Sequence, residues 1–108
     1  MIERRRFPRY DCSYDVDYAT DSLASLEGRS VAEDISKGGM RLPVSRIVRK
    51  GDVLKMDIYP SRKEYPVSAR GRVRWVQEAR DALPFNVDAG IEFISIELDD
   101  IDKLLHLI

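Results

Sequence analysis

The stretch Val67-Ser68-Ala69-Arg70-Gly71-Arg72-Val73-Arg74-Trp75-Val76 alternates between apolar and polar side chains over most of its length. A period of two residues indicates a β-strand with one face in a core and the other in water. Gly71 interrupts the alternation and predicts a bulge or tight bend, as a barrel corner requires. We therefore predict the longest strand of a curved sheet here, with Trp75 in the core.

Shorter segments of the same character lie on both sides of this stretch. We predict strands at Tyr14–Tyr18, Arg29–Ile35, Met40–Val44, Val53–Tyr59 and Gly90–Ile96. Pro43 has no N–H to donate, so its strand should be short or lie at an edge. Turn residues separate the segments, and no helical pattern falls between them.

The last segment changes to a helical period. Its apolar residues recur every three or four positions: Leu98, Ile101, Leu104, Leu105 and Ile108. Asp99 or Asp100 can serve as the N-cap. The helix is too short to persist alone and must pack on the sheet or on another subunit. About six short strands and a terminal helix predict an all-β protein, either an antiparallel barrel or a sandwich.

Composition limits the classes of function. A chain of 108 residues predicts a single domain. It contains no run of 18 apolar residues, so we expect no membrane insertion. Cys12 is the only cysteine and His106 the only histidine, which excludes an internal disulfide and makes metal clusters and histidine-based catalysis improbable. The start, Met1–Arg6, is not a secretory signal, and we expect a cytoplasmic protein.

Charge is distributed unevenly along the chain. Residues 1–9 hold four arginines and one glutamate, a local charge of +3, and the net charge of −1 therefore leaves −4 for the other 99 residues. A long nucleic acid requires a broad basic face. An acidic body with one basic segment instead favours a compact anion held at one place.

The basic segment contains Arg5-Arg6-Phe7-Pro8-Arg9, an Arg-x-x-x-Arg pattern preceded by Arg4. Pro8 disfavours a helix, so we expect a bent arm. Guanidinium groups donate paired hydrogen bonds to phosphate and stack on flat rings. A dinucleotide with two phosphates offers both surfaces. The alternative interpretation is a solvated basic terminus.

A second pattern, Asp34-Ile35-Ser36-Lys37-Gly38-Gly39, follows 25 residues after Arg9. A carboxylate accepts from two adjacent donors such as those on the edge of guanine, and a serine hydroxyl can serve a base or a phosphate. Gly39 permits a positive φ and close approach of the backbone to a ligand. The alternative is an ordinary turn, since aspartate, serine and glycine are common in turns.

Together the two patterns resemble the PilZ domain family. Val73-Arg74-Trp75-Val76 and Ala89-Gly90-Ile91-Glu92-Phe93 are similar to the family's later strands, so the resemblance spans nearly the whole chain. It implies a six-stranded antiparallel β-barrel with a C-terminal helix. The implied organisation is a flexible arm at 1–10, a barrel at 11–96 and a helix at 97–108.

The resemblance also implies a receptor for cyclic di-GMP that is not an enzyme, needs no cofactor and binds no metal. Its implied function is to couple the level of the ligand to an unidentified protein partner through ordering of the arm. The domain is expected to be a monomer or a weak homodimer. The residues expected to bind the ligand are Arg4, Arg5, Arg9, Asp34, Ser36, Gly38 and Gly39. Arg70, Arg72 and Arg74 are expected on a solvated outer face.

Two other functions are compatible with the sequence. One is a PilZ-like adaptor that binds a protein and no nucleotide. The other is a small barrel that binds RNA or DNA, against which the acidic body and the few aromatic residues argue.

Overall fold

The computed structural model describes residues 7–21, 26–78 and 86–107. Within these ranges the chain forms six strands and one helix. The elements are β1 (Tyr10–Thr20), β2 (Glu27–Ile35), β3 (Gly39–Ser45), β4 (Val53–Tyr59), β5 (Val67–Gln77), β6 (Asn86–Ser95) and α1 (Leu98–His106).

The six strands close into a barrel in the order β1-β2-β3-β6-β5-β4, with every neighbouring pair antiparallel. The predicted six-stranded antiparallel barrel with a terminal helix is confirmed, and the sandwich alternative is wrong. Closure pairs β1 with β4, so the sheet has no free edge strand. β1 and β6 lie across the barrel from each other, three strands apart in either direction.

Alternation along the strands builds the core. In β4, Leu54, Met56 and Ile58 are buried, and the residues between them are at least partly exposed. Val16 of β1 and Val73 of β5 are also buried from water. Removing this apolar surface from water is the main force that stabilises the barrel.

Pro43 lies in β3 without breaking the barrel. β3 pairs with β6 along its full length but with β2 only at Met40 and Arg41. Pro43 therefore follows the last residue paired with β2. β3 is short, with seven residues, which agrees with the prediction of a short or edge strand, although it does not lie at an edge. The physical reason holds locally, because proline has no N–H for a pairing with β2.

The helix packs on the barrel through Ile101 and Leu104, both buried. The Tyr14 hydroxyl of β1 donates a buried hydrogen bond to the Leu104 carbonyl oxygen. The predicted N-cap is wrong: Glu97 occupies it, without a side-chain capping bond. Asp99 and Asp100 lie in the first turn, where their charge still complements the helix dipole. No helix in the described part of the chain is long and apolar enough to cross a membrane.

Two register shifts bend the pairing of β5 with β6. One falls between Arg70 and Gly71, which confirms the predicted irregularity at Gly71. The other falls between Val73, which pairs with Ile91, and Trp75, which pairs with Gly90. Arg74 is thus an extra residue on β5, in the manner of a β-bulge. Such a bulge re-aims the side chains that follow it.

Candidate ligand-binding cleft

The loop between β2 and β3 is fixed by its own hydrogen bonds. The backbone N–H of Ser36 donates to the Gly39 carbonyl at 2.8 Å, and the Gly38 N–H donates to the Ser36 hydroxyl at 3.1 Å. From β6, the Phe93 N–H donates to the Gly38 carbonyl at 2.8 Å. The loop is therefore a preformed turn attached to the barrel wall, and its role as a turn does not exclude a role in binding.

Gly39 is required by close packing of the backbone. A β-carbon at this position would overlap the carbonyl oxygen of Ile91 on β6. Gly39 does not adopt the positive φ that a glycine permits, since among the described residues only Gly51 has one, at 96°. The close approach at Gly39 is made by a neighbouring strand.

The described end of the arm lies against this loop. The ring of Phe7 comes within 3.1 Å of the position that a β-carbon on Gly38 would occupy. Arg9 is exposed and immediately precedes β1. The described end of the first pattern and the loop of the second therefore lie on one side of the barrel.

The arm and the loop line a cleft of about 550 Å³. It is bounded by Phe7 and Arg9, by loop and strand residues 36–40, by Arg74 and Trp75 of β5, and by residues 90–93 of β6. We call this the cleft. Its volume falls within the range typical of small-molecule sites.

Four of the predicted site residues line the cleft: Arg9, Ser36, Gly38 and Gly39. Asp34 does not line it. Its carboxylate is nearly buried beside the loop, 3.6 Å from Nε of Arg41. Arg4 and Arg5 lie outside the described residues, so their position and the flexibility expected of the arm stay predictions.

Trp75 belongs to the cleft, although the sequence analysis assigned it to the core. Its indole lies against the outer face of β6, where a β-carbon on Gly90 would overlap the ring. The side chain is only half-buried. The register shift after Val73 moves Trp75 out of the buried series, and the glycine at residue 90 is the signal that could have identified this position.

Arg74 and Glu92 form a paired contact in the same cleft. Nε and Nη2 of Arg74 donate to the two carboxylate oxygens of Glu92 at 2.9 and 2.6 Å. The hydrogen bonds from Arg74 lower the pKa of Glu92, and the Glu92 carboxylate raises the pKa of Arg74. Sequence analysis missed both residues as site candidates.

The charges of the cleft favour an anion. Its described lining contains three cationic side chains, Arg9, Lys37 and Arg74, and one carboxylate, Glu92. Trp75 and Phe7 add flat apolar surfaces beside them. The arrangement suits a ligand that combines negative charge with an aromatic ring.

The described residues offer little for catalysis or for metal binding. They contain no cluster of histidine, cysteine or acidic side chains that could hold a metal ion. His106 lies on α1, with Nδ1 2.9 Å from the Asp102 carbonyl oxygen, and does not line the cleft. The cleft therefore contains no imidazole to activate Ser36.

A larger cavity of about 810 Å³ lies elsewhere on the barrel. It is centred on β1 and β4 and includes Asp17, Arg29, Lys55 and Arg70. We call it the hollow. None of the described residues predicted to bind ligand lines it.

Comparison with known proteins identifies relatives of the chain. The sequence profile of the PilZ domain matches residues 3–108. No curated protein sequence gives a significant match.

Solved structures share the fold at low sequence identity. The PilZ domain of YcgR from Escherichia coli, solved with c-di-GMP, is 14% identical with a TM-score of 0.75, covering 98% of this chain and 89% of that one. The inhibitor of motility MotI/DgrA from Bacillus subtilis is 21% identical with a TM-score of 0.73, covering 97% and 49%. The K. pneumonia MrkH–c-di-GMP complex is 15% identical with a TM-score of 0.66, covering 98% and 50%.

The chain spans about half the length of MotI and of MrkH but most of the YcgR domain structure. The family profile covers nearly all of the chain, and the closed barrel, the loop and the terminal helix agree with it. The chain belongs to the PilZ domain family.

Proposed function

We propose that this domain is a receptor for cyclic di-GMP that binds the ligand in the cleft and performs no chemistry on it. One observation carries the proposal: Arg9 of the arm and the loop residues Ser36, Gly38 and Gly39 line the same cleft. Two of the structural relatives, YcgR and MrkH, were solved with this ligand.

The proposed roles follow from side-chain chemistry. Arg9, with Arg4 and Arg5 ahead of it, binds phosphate and stacks on guanine. Ser36 and the backbone at Gly38 and Gly39 form the base of the site. Trp75 offers a ring for a guanine to stack on.

Asp34 would read the two donors on the edge of guanine. In the structure its carboxylate faces Arg41, and Nε of Arg41 is buried without a hydrogen-bond partner. Binding of guanine would require the Asp34 carboxylate to turn from Arg41 toward the loop.

The signal is proposed to pass through the arm. Four arginines within nine residues repel one another, and a ligand with two phosphates removes that repulsion. Ligand binding would then hold residues 1–9 against the barrel and create a new surface for a protein partner. An adaptor without nucleotide binding and a nucleic-acid-binding barrel are the alternatives that the experiment must separate.

Isothermal titration with cyclic di-GMP tests the proposal, with cyclic di-AMP as the ligand control. We expect binding of cyclic di-GMP only. Arg9→Ala should weaken affinity by roughly 2 kcal/mol, about thirtyfold, because it removes a charged hydrogen bond. Arg29→Ala is the matched control, since Arg29 is an exposed arginine in the hollow and should leave affinity unchanged.

A thermal melt gives an independent measurement. Ligand at 100 times its dissociation constant should stabilise the domain by about 2.7 kcal/mol. Absence of binding by the wild-type domain would favour the adaptor. Retention of labelled RNA or DNA in the presence of cyclic di-GMP would favour the nucleic-acid barrel.

A further inference from the structure

The Arg74–Glu92 pair lines the same cleft as the glycine-containing loop. Glu92 pairs across the sheet with Gly39 of β3, which has no side chain to share the outer face. Arg74 reaches Glu92 from β5 because it is the extra residue at the register shift between Val73 and Trp75. The way β6 pairs with β3 and with β5 therefore places Arg74 and Glu92 in the cleft, beside the loop.

The pair differs from the other charged residues of β5. Arg70 contacts Asp21 at the hollow, away from the cleft. Arg72 lies opposite Glu92 across the sheet and helps to lower its pKa, but it does not line the cleft. Among the arginines of β5, only Arg74 lines the cleft together with Arg9.

Both carboxylate oxygens of Glu92 already accept hydrogen bonds from Arg74. Glu92 therefore holds the guanidinium through both of its oxygens, and a ligand phosphate must replace these two bonds to pair with Arg74 in the same way. The negative charge of Glu92 opposes an incoming dianion, whereas the positive charge of Arg74 attracts it. The two side chains are about half-exposed, so a ligand phosphate can compete for Arg74.

We propose that Arg74 is a further phosphate-binding group of the cleft, and that Glu92 is its counter-ion. In the empty cleft Glu92 holds the guanidinium over Gly39. On binding, a phosphate of the dinucleotide replaces the carboxylate as the partner of Arg74, so the pair sets the affinity of the receptor. This inference rests on the proposed function, because it requires a phosphate-bearing ligand in the cleft.

Titration of single variants with cyclic di-GMP tests the inference, read by calorimetry and by the fluorescence of Trp75, the only tryptophan of the chain. Arg74→Gln should weaken binding roughly tenfold to a hundredfold, because a charged hydrogen bond to phosphate is lost. Glu92→Gln should tighten binding roughly threefold to tenfold, because it removes the repulsion and frees the guanidinium. The opposite signs distinguish competition from loss of a structural contact, which would shift both variants in the same direction.

The chain contains a matched control pair. Arg46 and Glu78 also form a two-bond contact between exposed side chains, and neither lines the cleft. Arg46→Gln and Glu78→Gln should leave the dissociation constant unchanged. Thermal melts of all four variants without ligand should stay close to the wild type, since exposed ion pairs contribute little to stability.

Two results would overturn the inference while leaving the proposed function intact. One is that the Arg74→Gln variant binds cyclic di-GMP with the same affinity as the wild-type domain. The other is weaker binding by Glu92→Gln, which would assign Glu92 a direct contact with the base. Failure of the wild-type domain itself to bind would instead reject the proposed function, and this inference with it.

Discussion

The cleft and the hollow are two concave surfaces on one barrel, and the larger of them is the poorer candidate for a ligand site. The hollow has a volume of about 810 Å³ and the cleft about 550 Å³. In the hollow, long charged side chains neutralise one another: Asp17 contacts Arg29, and both Lys55 and Arg70 contact Asp21. The cleft instead combines a glycine-containing loop, two aromatic rings and an excess of positive charge.

The two surfaces differ in their backbone as well as in volume, and we expect the backbone to be the better guide to the ligand site. In the cleft, a β-carbon on Gly39 would overlap a backbone carbonyl oxygen, and a β-carbon on Gly90 would overlap the indole of Trp75. In the hollow, the outward positions of β1 and β4 hold charged residues such as Asp17 and Lys55, which must be desolvated before anything else can bind. Substitutions at matched positions in the two surfaces test this difference.

The largest effect is expected for Gly39→Ala. Its β-carbon would overlap the Ile91 carbonyl oxygen, so β3 and β6 must separate. We expect a loss of roughly 3 kcal/mol in the free energy of unfolding, together with loss of ligand binding. Urea denaturation and titration measure the two effects.

Gly28→Ala in the hollow is the control for this substitution. There the new β-carbon meets the buried ring of Tyr18 and not a backbone. Stability should fall here as well, but the affinity should be unchanged. Equal effects of the two substitutions on affinity would remove the distinction between the surfaces.

The next largest effect is expected for Trp75→Leu, which keeps an apolar side chain but removes the ring. If a guanine stacks on the indole, affinity should fall by roughly 1–3 kcal/mol. Tyr18→Phe, which removes an aromatic hydroxyl in the hollow, should leave affinity unchanged although it abolishes the hydrogen bond that the Ser45 N–H donates to this hydroxyl. Normal ligand affinity of Trp75→Leu would place the base elsewhere.

A smaller effect is expected for Asp34→Asn. The amide keeps the shape of the side chain but supplies only one acceptor, so the edge of guanine loses a partner and affinity should fall about tenfold. Asp57→Asn, in the hollow, is the control and should have no effect on binding. Unfolding of Asp34→Asn under native conditions would show that the contact with Arg41 serves the fold alone.

The smallest effect is expected for the pH dependence of stability, through Cys12, which lines neither the cleft nor the hollow. Burial raises the pKa of the Cys12 thiol above its ordinary value of 9.0. The folded state therefore holds this proton more tightly than the unfolded state, so its stabilising contribution is complete below about pH 9 and declines as pH rises through the folded pKa. Urea denaturation should show stability falling above about pH 9, and the fall should be smaller in Cys12→Ala; an identical fall would exclude Cys12 as its source.

The fold could be predicted from the sequence because alternation fixes which face of each strand is buried. Val53–Tyr59 agrees with β4 residue for residue. The start of β6 was predicted four residues too late, at Gly90, because the buried Asp88 does not look like a core residue in the sequence. The N-cap was predicted at the wrong residue because Glu97 occupies this position without a capping hydrogen bond from its side chain, so its residue type does not mark it.

The candidate site could be predicted only in part. The spacing of Arg9, Ser36 and Gly39 identified the arm and the loop, since both motifs are local in the sequence. Trp75 and the Arg74–Glu92 pair enter the cleft through a register shift between β5 and β6. Such a shift depends on how the two strands pair, and the glycine at residue 90 is a local sign of it that does not by itself specify the register.

Cyclic di-GMP is proposed to bind between the arm and the loop, and backbone amide NMR during titration with this ligand locates the site without any substitution. We expect the amides of Gly38 and Gly39 and the indole N–H of Trp75 to shift with increasing ligand, while the amide of Gly28 in the hollow stays in place. Shifts concentrated at Gly28 and its neighbours, with Gly38, Gly39 and Trp75 unmoved, would contradict it.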